Sequence, residues 1–396
     1  MAIASVNADA SVRVLRSLPE LEEIRKAWES WPGDRESEMQ SYLAFLRSNL
    51  KTARPYILVV YRSGKPDSIL VGRIDIGHIT CSLGYARLNL QAKILCFVYG
   101  SLRGNPSFEN CDLMVTEILR SLSQGEADVA YMNFLEQQSD LYRLARKKPG
   151  LFSRDYVCLT QLHFATSVPS SVEGFYKGLS SGARWQAKSK QKKLLKRFGG
   201  GVKVRCFREA AELETMLQDV EKVAQKSYQR GLGVGFVRSP ETVEGLRFTA
   251  ERGRLRGYVL YLEDRPCAFW LGEINDHTFG SNYLAYDAEF AAFSPGMFLI
   301  FKVMEGFCDR GVEGVTVVDF GLGPAQYKEV LANREWTETC VHIFAPTIRG
   351  ISLNVIRTLI GRSDQAIKKT LSSLGILQKI KKVWRSHVRP QQALQS

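Results

Sequence analysis

Tyr286-Asp287, then Phe293-Ser294-Pro295-Gly296-Met297-Phe298-Leu299, then Val317-Val318-Asp319-Phe320-Gly321-Leu322-Gly323 ahead of Tyr327-Lys328, is the stretch from which the fold is read. An extended run ends at Ala285 and a helix is expected from Pro295. Ser294 is placed as its N-cap, because a short hydroxyl side chain accepts from the first free N–H groups. Pro295 suits the first helical turn. Gly296 removes side-chain bulk where a ligand would approach the backbone. The free N–H groups and positive dipole end of such a helix favour an anion such as a pyrophosphate, although an ordinary capped helix start has the same sequence. Downstream, a buried strand delivers Asp319 at its end. Two glycines make a tight turn, and the next helix presents Tyr327 and Lys328. Asp-Phe-Gly also occurs in protein kinases. No glycine-rich phosphate loop, strand lysine or His-Arg-Asp loop accompanies it here, so a kinase is set aside.

Outward from this stretch, the chain repeats its plan. The first half reads as a strand at 12–15, helices at 18–31 and 39–50, and three strands at 56–61, 69–76 and 94–99. A helix at 110–123, a strand at 129–134, a helix at 137–146 and a strand at 157–164 close it. The second half reads as a strand at 202–207, helices at 209–229 and 240–252, and strands at 255–261, 267–274 and 278–285. A helix at 295–310, a strand at 315–320, a helix at 324–332 and a strand at 337–344 follow. Ile-, Val- and Tyr-rich runs mark the strands. Leu213, Met216, Leu217, Val220 and Val223 mark a helix by their spacing. Six consecutive elements agree in type and spacing, without a visible repeat of residue identity. The expected fold class is therefore α+β, with tandem modules, each a mixed, mostly antiparallel central sheet flanked by helices. A Ser/Pro-rich boundary near 166–171 divides the chain into 1–167 and 168–346, with 347–396 as a basic amphipathic tail.

Bulk properties narrow the partners. The 396 residues suit two domains, and 45% hydrophobic content gives each a core. A net charge of +13 points to an anionic partner. None of the eight cysteines lies within three residues of another, so no metal or redox knuckle is expected. They read as reduced core thiols of a cytosolic protein. Met1–Ala10 lacks the pattern of a signal peptide. No run is long and apolar enough to span a bilayer.

The motifs resemble the CelD-type GNAT acyltransferases linked to bacterial exopolysaccharide and cellulose synthesis, whose double GNAT architecture is shared by the FemABX aminoacyltransferases. The resemblance rests on Ser180/Ser181 with Arg184 and the basic helix after it, Tyr228-Gln229-Arg230-Gly231, Arg265-Pro266-Cys267-Ala268-Phe269, Tyr286-Asp287, Ser294-Pro295-Gly296, Asp319-Phe320-Gly321-Leu322-Gly323 and Tyr327-Lys328. It covers 170–345 strongly and 12–165 in outline. It implies an N- or O-acyltransferase taking acetyl-CoA or another acyl-CoA as donor, with no metal, and a sugar or polysaccharide precursor as acceptor. The pyrophosphate is then placed at Ser294, Pro295, Gly296 and Met297, with Lys328 nearby. Arg184, Lys188, Tyr228, Arg230 and Tyr286 are placed toward the acceptor. The string Arg230-Gly231-Leu232-Gly233-Val234-Gly235 fits the usual GNAT phosphate loop, but it follows a helix and reads instead as a glycine loop near the acceptor.

Direct transfer needs the acceptor held against a thioester carbonyl. A strand N–H within 278–285 would stabilise the oxyanion. A carboxylate must help deprotonate the acceptor, with Asp287, Asp319 and Glu273 as candidates in that order. The resemblance implies that Tyr327, after the fifth strand, protonates the departing thiolate. Asp319 as a turn cap and Tyr327 as core packing are the plainer readings.

Two basic surfaces remain. Residues 184–197 carry seven positive charges and no negative one, with Arg184, Lys188 and Lys192 on one helix face. From Gln365 onward there is no acidic residue, and an apolar stripe from Ile367 to Trp384 runs beside lysines. That tail either packs on the fold or, through 365–390, touches an acidic membrane face from the cytoplasm. An aminoacyl-tRNA donor and a non-catalytic basic binding module are the rival functions. With a single short basic helix in 172–201, nucleic acid is not the expected partner.

Overall fold

The structure, a computed structural model, describes residues 10–33, 35–49, 52–84, 86–231, 235–308 and 314–373. The chain opens with β1 (Ala10–Leu15), α1 (Leu18–Glu23), α2 (Arg25–Ser30) and α3 (Met39–Ser48). Strands β2 (Ala53–Arg62), β3 (Lys65–Leu83) and β4 (Ala86–Gly104) follow, then α4 (Phe108–Ser123), β5 (Val129–Glu136) and α5 (Asp140–Lys147). Next come β6 (Leu159–Ser167), α6 (Val172–Gly178), α7 (Ser181–Phe198), β7 (Val202–Phe207), α8 (Leu213–Gln225), α9 (Tyr228–Gly231) and α10 (Pro240–Glu251). The chain continues through β8 (Leu255–Leu262), β9 (Arg265–Asn275), β10 (Thr278–Tyr286), α11 (Pro295–Cys308), β11 (Val317–Leu322), α12 (Gln326–Leu331), β12 (Arg334–Phe344) and α13 (Ile348–Ser373).

Two compact units result, and each is a module of the expected kind. One takes the described residues up to Gln161 and those from Thr337 onward; the other is Leu162–Trp336. In the first unit the strands run in the order β1-β2-β3-β4-β5-β12, and in the second β7-β8-β9-β10-β11-β6. Both are antiparallel except for one parallel pair at the same place, β4 with β5 and β10 with β11. Relative to the expected boundaries at 167 and 346, each division falls about one strand earlier. β6 therefore completes the second unit's sheet, and β12 completes the first's.

The duplication extends to residues. The hairpin β2–β3 shifts register between Val60 and Tyr61, where Tyr61 faces Pro66. The hairpin β8–β9 shifts between Leu260 and Tyr261, where Tyr261 faces Pro266, two hundred residues further on. Both turns use two consecutive residues with positive φ, Ser63-Gly64 and Glu263-Asp264. That pattern matches the right-handed twist of the flanking strands.

Each sheet is covered on both faces. In the second unit Trp270, Phe279, Val318 and Phe320 point to one face, packing with α11. Phe269, Leu271 and Ala285 point to the other, packing with α8 and its Leu213, Met216, Leu217, Val220 and Val223. In the first unit residues 348–373, the start of the expected basic amphipathic tail, form α13. It packs on β3. Its Asn354 amide donates to the carbonyls of Phe152 (2.8 Å) and Arg154 (2.9 Å). Arg357 of the same helix pairs with Asp155, a buried carboxylate that also receives the backbone N–H of His342 at 3.0 Å. The rest of the C-terminal stripe, from residue 374, lies outside the described residues.

Candidate active site

The second unit's sheet splits where its two parallel strands meet. β10 and β11 pair only from Thr278 with Val317 to Gly280 with Asp319. Beyond that point β10 continues to Tyr286 and β11 to Leu322 with no further pairing between them among the described residues. β10 also breaks register against β9 between Ser281 and Tyr283, which takes Asn282 out of the ladder. A bulge increases local twist. Here it falls where β10 stops pairing with β11, and the unpaired stretch between the two strands is the slot.

Asp319 stands at the mouth of the slot, on the face opposite Val318 and Phe320. Its Oδ1 receives the Gly321 N–H at 2.7 Å and lies 2.6 Å from Nε2 of His163 on β6. His163 is buried (3% exposed), stacked on Trp336 with ring centroids 4.2 Å apart, whereas the Asp319 side chain is 32% exposed. Of the pair, the carboxylate is the group open to solvent.

Tyr327 lies across the slot on the α11 face. Its hydroxyl is hydrogen-bonded to Ser281, which also accepts the Trp270 indole N–H at 2.8 Å. Burial pushes the Tyr327 phenol up to about 12, against a smaller lowering by Ser281. Lys328 is buried and donates to the carbonyls of Gly321 (3.1 Å) and Leu322 (2.8 Å). It clips the turn after β11, and desolvation lowers its pKa against the opposing pull of Asp319.

The other candidates are more dispersed. Glu273 lies beside Gly280 in register, with Asp319 on that glycine's other side, so the two carboxylates flank a position without a side chain. Asp287 lies seven residues beyond Gly280, about 20 Å along a strand. Its carboxylate caps the 3-10 turn 288–293 by accepting the Glu289 N–H at 2.9 Å and pairs with Lys226 at 3.3 Å. Ser294 is left-handed (φ 51°, ψ 53°) rather than the extended N-cap expected. The 3-10 turn runs straight into α11, and one residue must reverse the chain direction. Pro295 and Gly296 are buried. The ring of Tyr286 sits so close that a Cβ on Gly296 would stand 3.3 Å from it. Ser294 and Met297 remain half-buried.

Toward the expected acceptor side, Arg184 donates to the carbonyls of Lys177 and Leu179 and Arg230 to that of Phe236 (2.9 Å). Both hold backbone turns. Tyr228 is 55% exposed, and Lys188 reaches over the Tyr176 ring at 6.0 Å. Residues 232–234 of the glycine loop lie outside the described residues. His163, Ser281, Trp270 and Trp336 were not singled out in the sequence. His163 is a lone histidine in a strand, 156 residues from its partner. Among the described residues no group of three or more His, Cys, Asp or Glu side chains is arranged to hold a metal.

Residues 181–329 match the family described as Acetyltransferase (GNAT) domain. The matched segment is the one that builds the slot, and its fold is GNAT-like. No curated protein sequence matches the chain. Among solved structures, a protein of unknown function from Bacteroides thetaiotaomicron is similar at 8% identity and a TM-score of 0.48, over 84% of this chain and all of that one. FemX is similar at 13% identity and a TM-score of 0.49, over 80% of this chain and 95% of FemX. A tandem GNAT protein from the clavulanic acid biosynthesis pathway is similar at 10% identity and a TM-score of 0.45, over 85% and 99%. The GNAT domain contributes α7 to α12, and β6 reaches its sheet from outside the matched residues. No described helix is long and apolar enough to cross a membrane.

Proposed function

We propose that the GNAT domain transfers an acyl group, acetyl by preference, from an acyl-CoA thioester to an amine or hydroxyl of a sugar or cell-envelope precursor, in the manner of the CelD-type enzymes. The observation that carries this reading is the slot between β10 and β11, with Asp319 on one face and Tyr327 on the other.

The donor, when bound, supplies a thioester-activated acyl carbon. The residues at the start of α11 suit its diphosphate. Ser294 and Met297 are half-buried there, and Lys193, which donates to the Ala292 carbonyl at 2.9 Å, lies one turn away. A main-chain N–H within Ser281–Tyr283 would face the thioester oxygen; such a donor is typically worth about 2.7–4 kcal/mol. Asp319 has Oδ1 fixed by two donors, so Oδ2 is the atom placed to take the acceptor's proton. Tyr327 gives a proton to the leaving sulfur from the opposite face, and its raised pKa keeps it protonated through the working range. Asp287 and Lys328 act in this scheme through the main chain they hold.

Titration calorimetry with acetyl-CoA and longer acyl-CoAs tests the donor. Binding of at least one is expected; a folded protein that binds none overturns the reading. Tyr327→Phe should lower kcat on the order of a hundredfold, with acyl-CoA affinity unchanged. Because the phenol ionises only near 12, it should add no falling limb to the wild-type rate profile below about pH 11.

A further inference from the structure

Helix α7 contains no acidic residue, and its two faces differ in kind. Ala187 and Leu194 are buried against the body of the unit. Trp185, Lys188, Lys192 and Lys196 follow at spacings of three, four and four, which places them on one face. That face points to solvent. Trp185 is 71% exposed and Leu195 43%.

The cations of α7 fall into two classes. Arg184 is held by the carbonyls of Lys177 and Leu179, Arg197 by Glu263 at 3.6 Å, and Lys193 by Ala292. Lys192 and Lys196 have no partner among the described residues. The Arg184 fork is thus engaged by backbone carbonyls, whereas Arg197 makes only an exposed ion pair. What faces outward is a row of point charges on long apolar stems, flanked by a tryptophan and a leucine.

We propose that this face of α7 docks on an anionic lipid bilayer. The lysines would meet headgroup phosphates, and Trp185 and Leu195 would enter the interfacial layer, where an amphipathic aromatic is favoured. A single-stranded nucleic acid also takes lysines with an aromatic. Leu195, however, offers no stacking surface, and Trp185 is the one exposed aromatic of the helix. The exposed apolar pair therefore favours lipid.

The test uses the full chain, so residues 374–396 are present in every sample. Co-sedimentation is measured with phosphatidylcholine vesicles, with and without phosphatidylglycerol. Partitioning is expected only with the anionic lipid. Lys192→Gln with Lys196→Gln should weaken it on the order of thirtyfold, from the usual contribution of a lysine near such a surface. The fluorescence difference between wild type and Trp185→Phe isolates Trp185, whose emission should move to the blue on vesicle addition. Unchanged partitioning in the double variant, or an emission that does not move, overturns the proposal. So does tighter binding to a single-stranded oligonucleotide than to anionic vesicles.

Discussion

Asp319→Asn should lower kcat for acyl transfer by about a thousandfold, within the range of general-base contributions, while acyl-CoA affinity stays within a factor of two. The substitution is isosteric. An amide oxygen at the Oδ1 position still accepts from Gly321 and can still face His163, so the turn persists. What is lost is the second oxygen, replaced by an NH2 group that cannot take a proton. Stopped transfer with intact donor binding is the signature; near-wild-type turnover would leave Asp319 as a turn anchor. His163 touches no substrate in this arrangement and is a positioning residue. His163→Gln should cost less in kcat than Asp319→Asn and leave acyl-CoA affinity and unfolding midpoint unchanged, which a purely structural loss would not do.

The largest effect on stability is expected in the other unit. Arg357→Met should destabilise it by about 3–5 kcal/mol at neutral pH, because it leaves the buried Asp155 carboxylate without its guanidinium. Burial alone would push the Asp155 carboxyl up. The hydrogen bond with His342 and the charge of Arg357 outweigh this and hold it well below the usual range. A depressed carboxylate stabilises the fold above the unfolded-state pKa of about 3.9 and loses that contribution as pH falls through the folded value. The deficit of Arg357→Met should accordingly be widest at neutral pH and narrow in strong acid. Urea unfolding of both proteins across that range measures it. A deficit under about 1 kcal/mol at pH 7 would mean the cluster is not what fastens α13.

Much of the scaffold was legible because it is local. The six-element repeat, the amphipathic α8 and the strands β8 to β10 follow from periodicity alone. The repeat of Tyr61 to Pro66 in Tyr261 to Pro266 was not read from the sequence; only the shared register makes the match plain. β3 and β4 are longer than the apolar runs suggested, because residues 77–93 alternate with polar ones and bury a single side. The site was less legible. Asp319 and Tyr327 were singled out from their strand and helix positions and remain proposals. Asp287 stood first among the carboxylates, but its cap on residues 288–293 and its pairing with Lys226 engage it elsewhere. The left-handed Ser294 depends on how a 3-10 turn meets a helix, which composition does not encode. His163 could not be placed beside Asp319 without knowing that β6 leaves the half of the chain in which it begins.

That swap of closing strands has a consequence during synthesis. Residues 162–336 are contiguous and can condense as soon as they clear the ribosome. The module begun earlier must wait, with one side of β5 bare, until β12 and α13 emerge. Bare strand edges recruit other chains. A product cut at residue 336 should therefore clump even though its second unit is whole, and the earlier module is a place for a chaperone to wait.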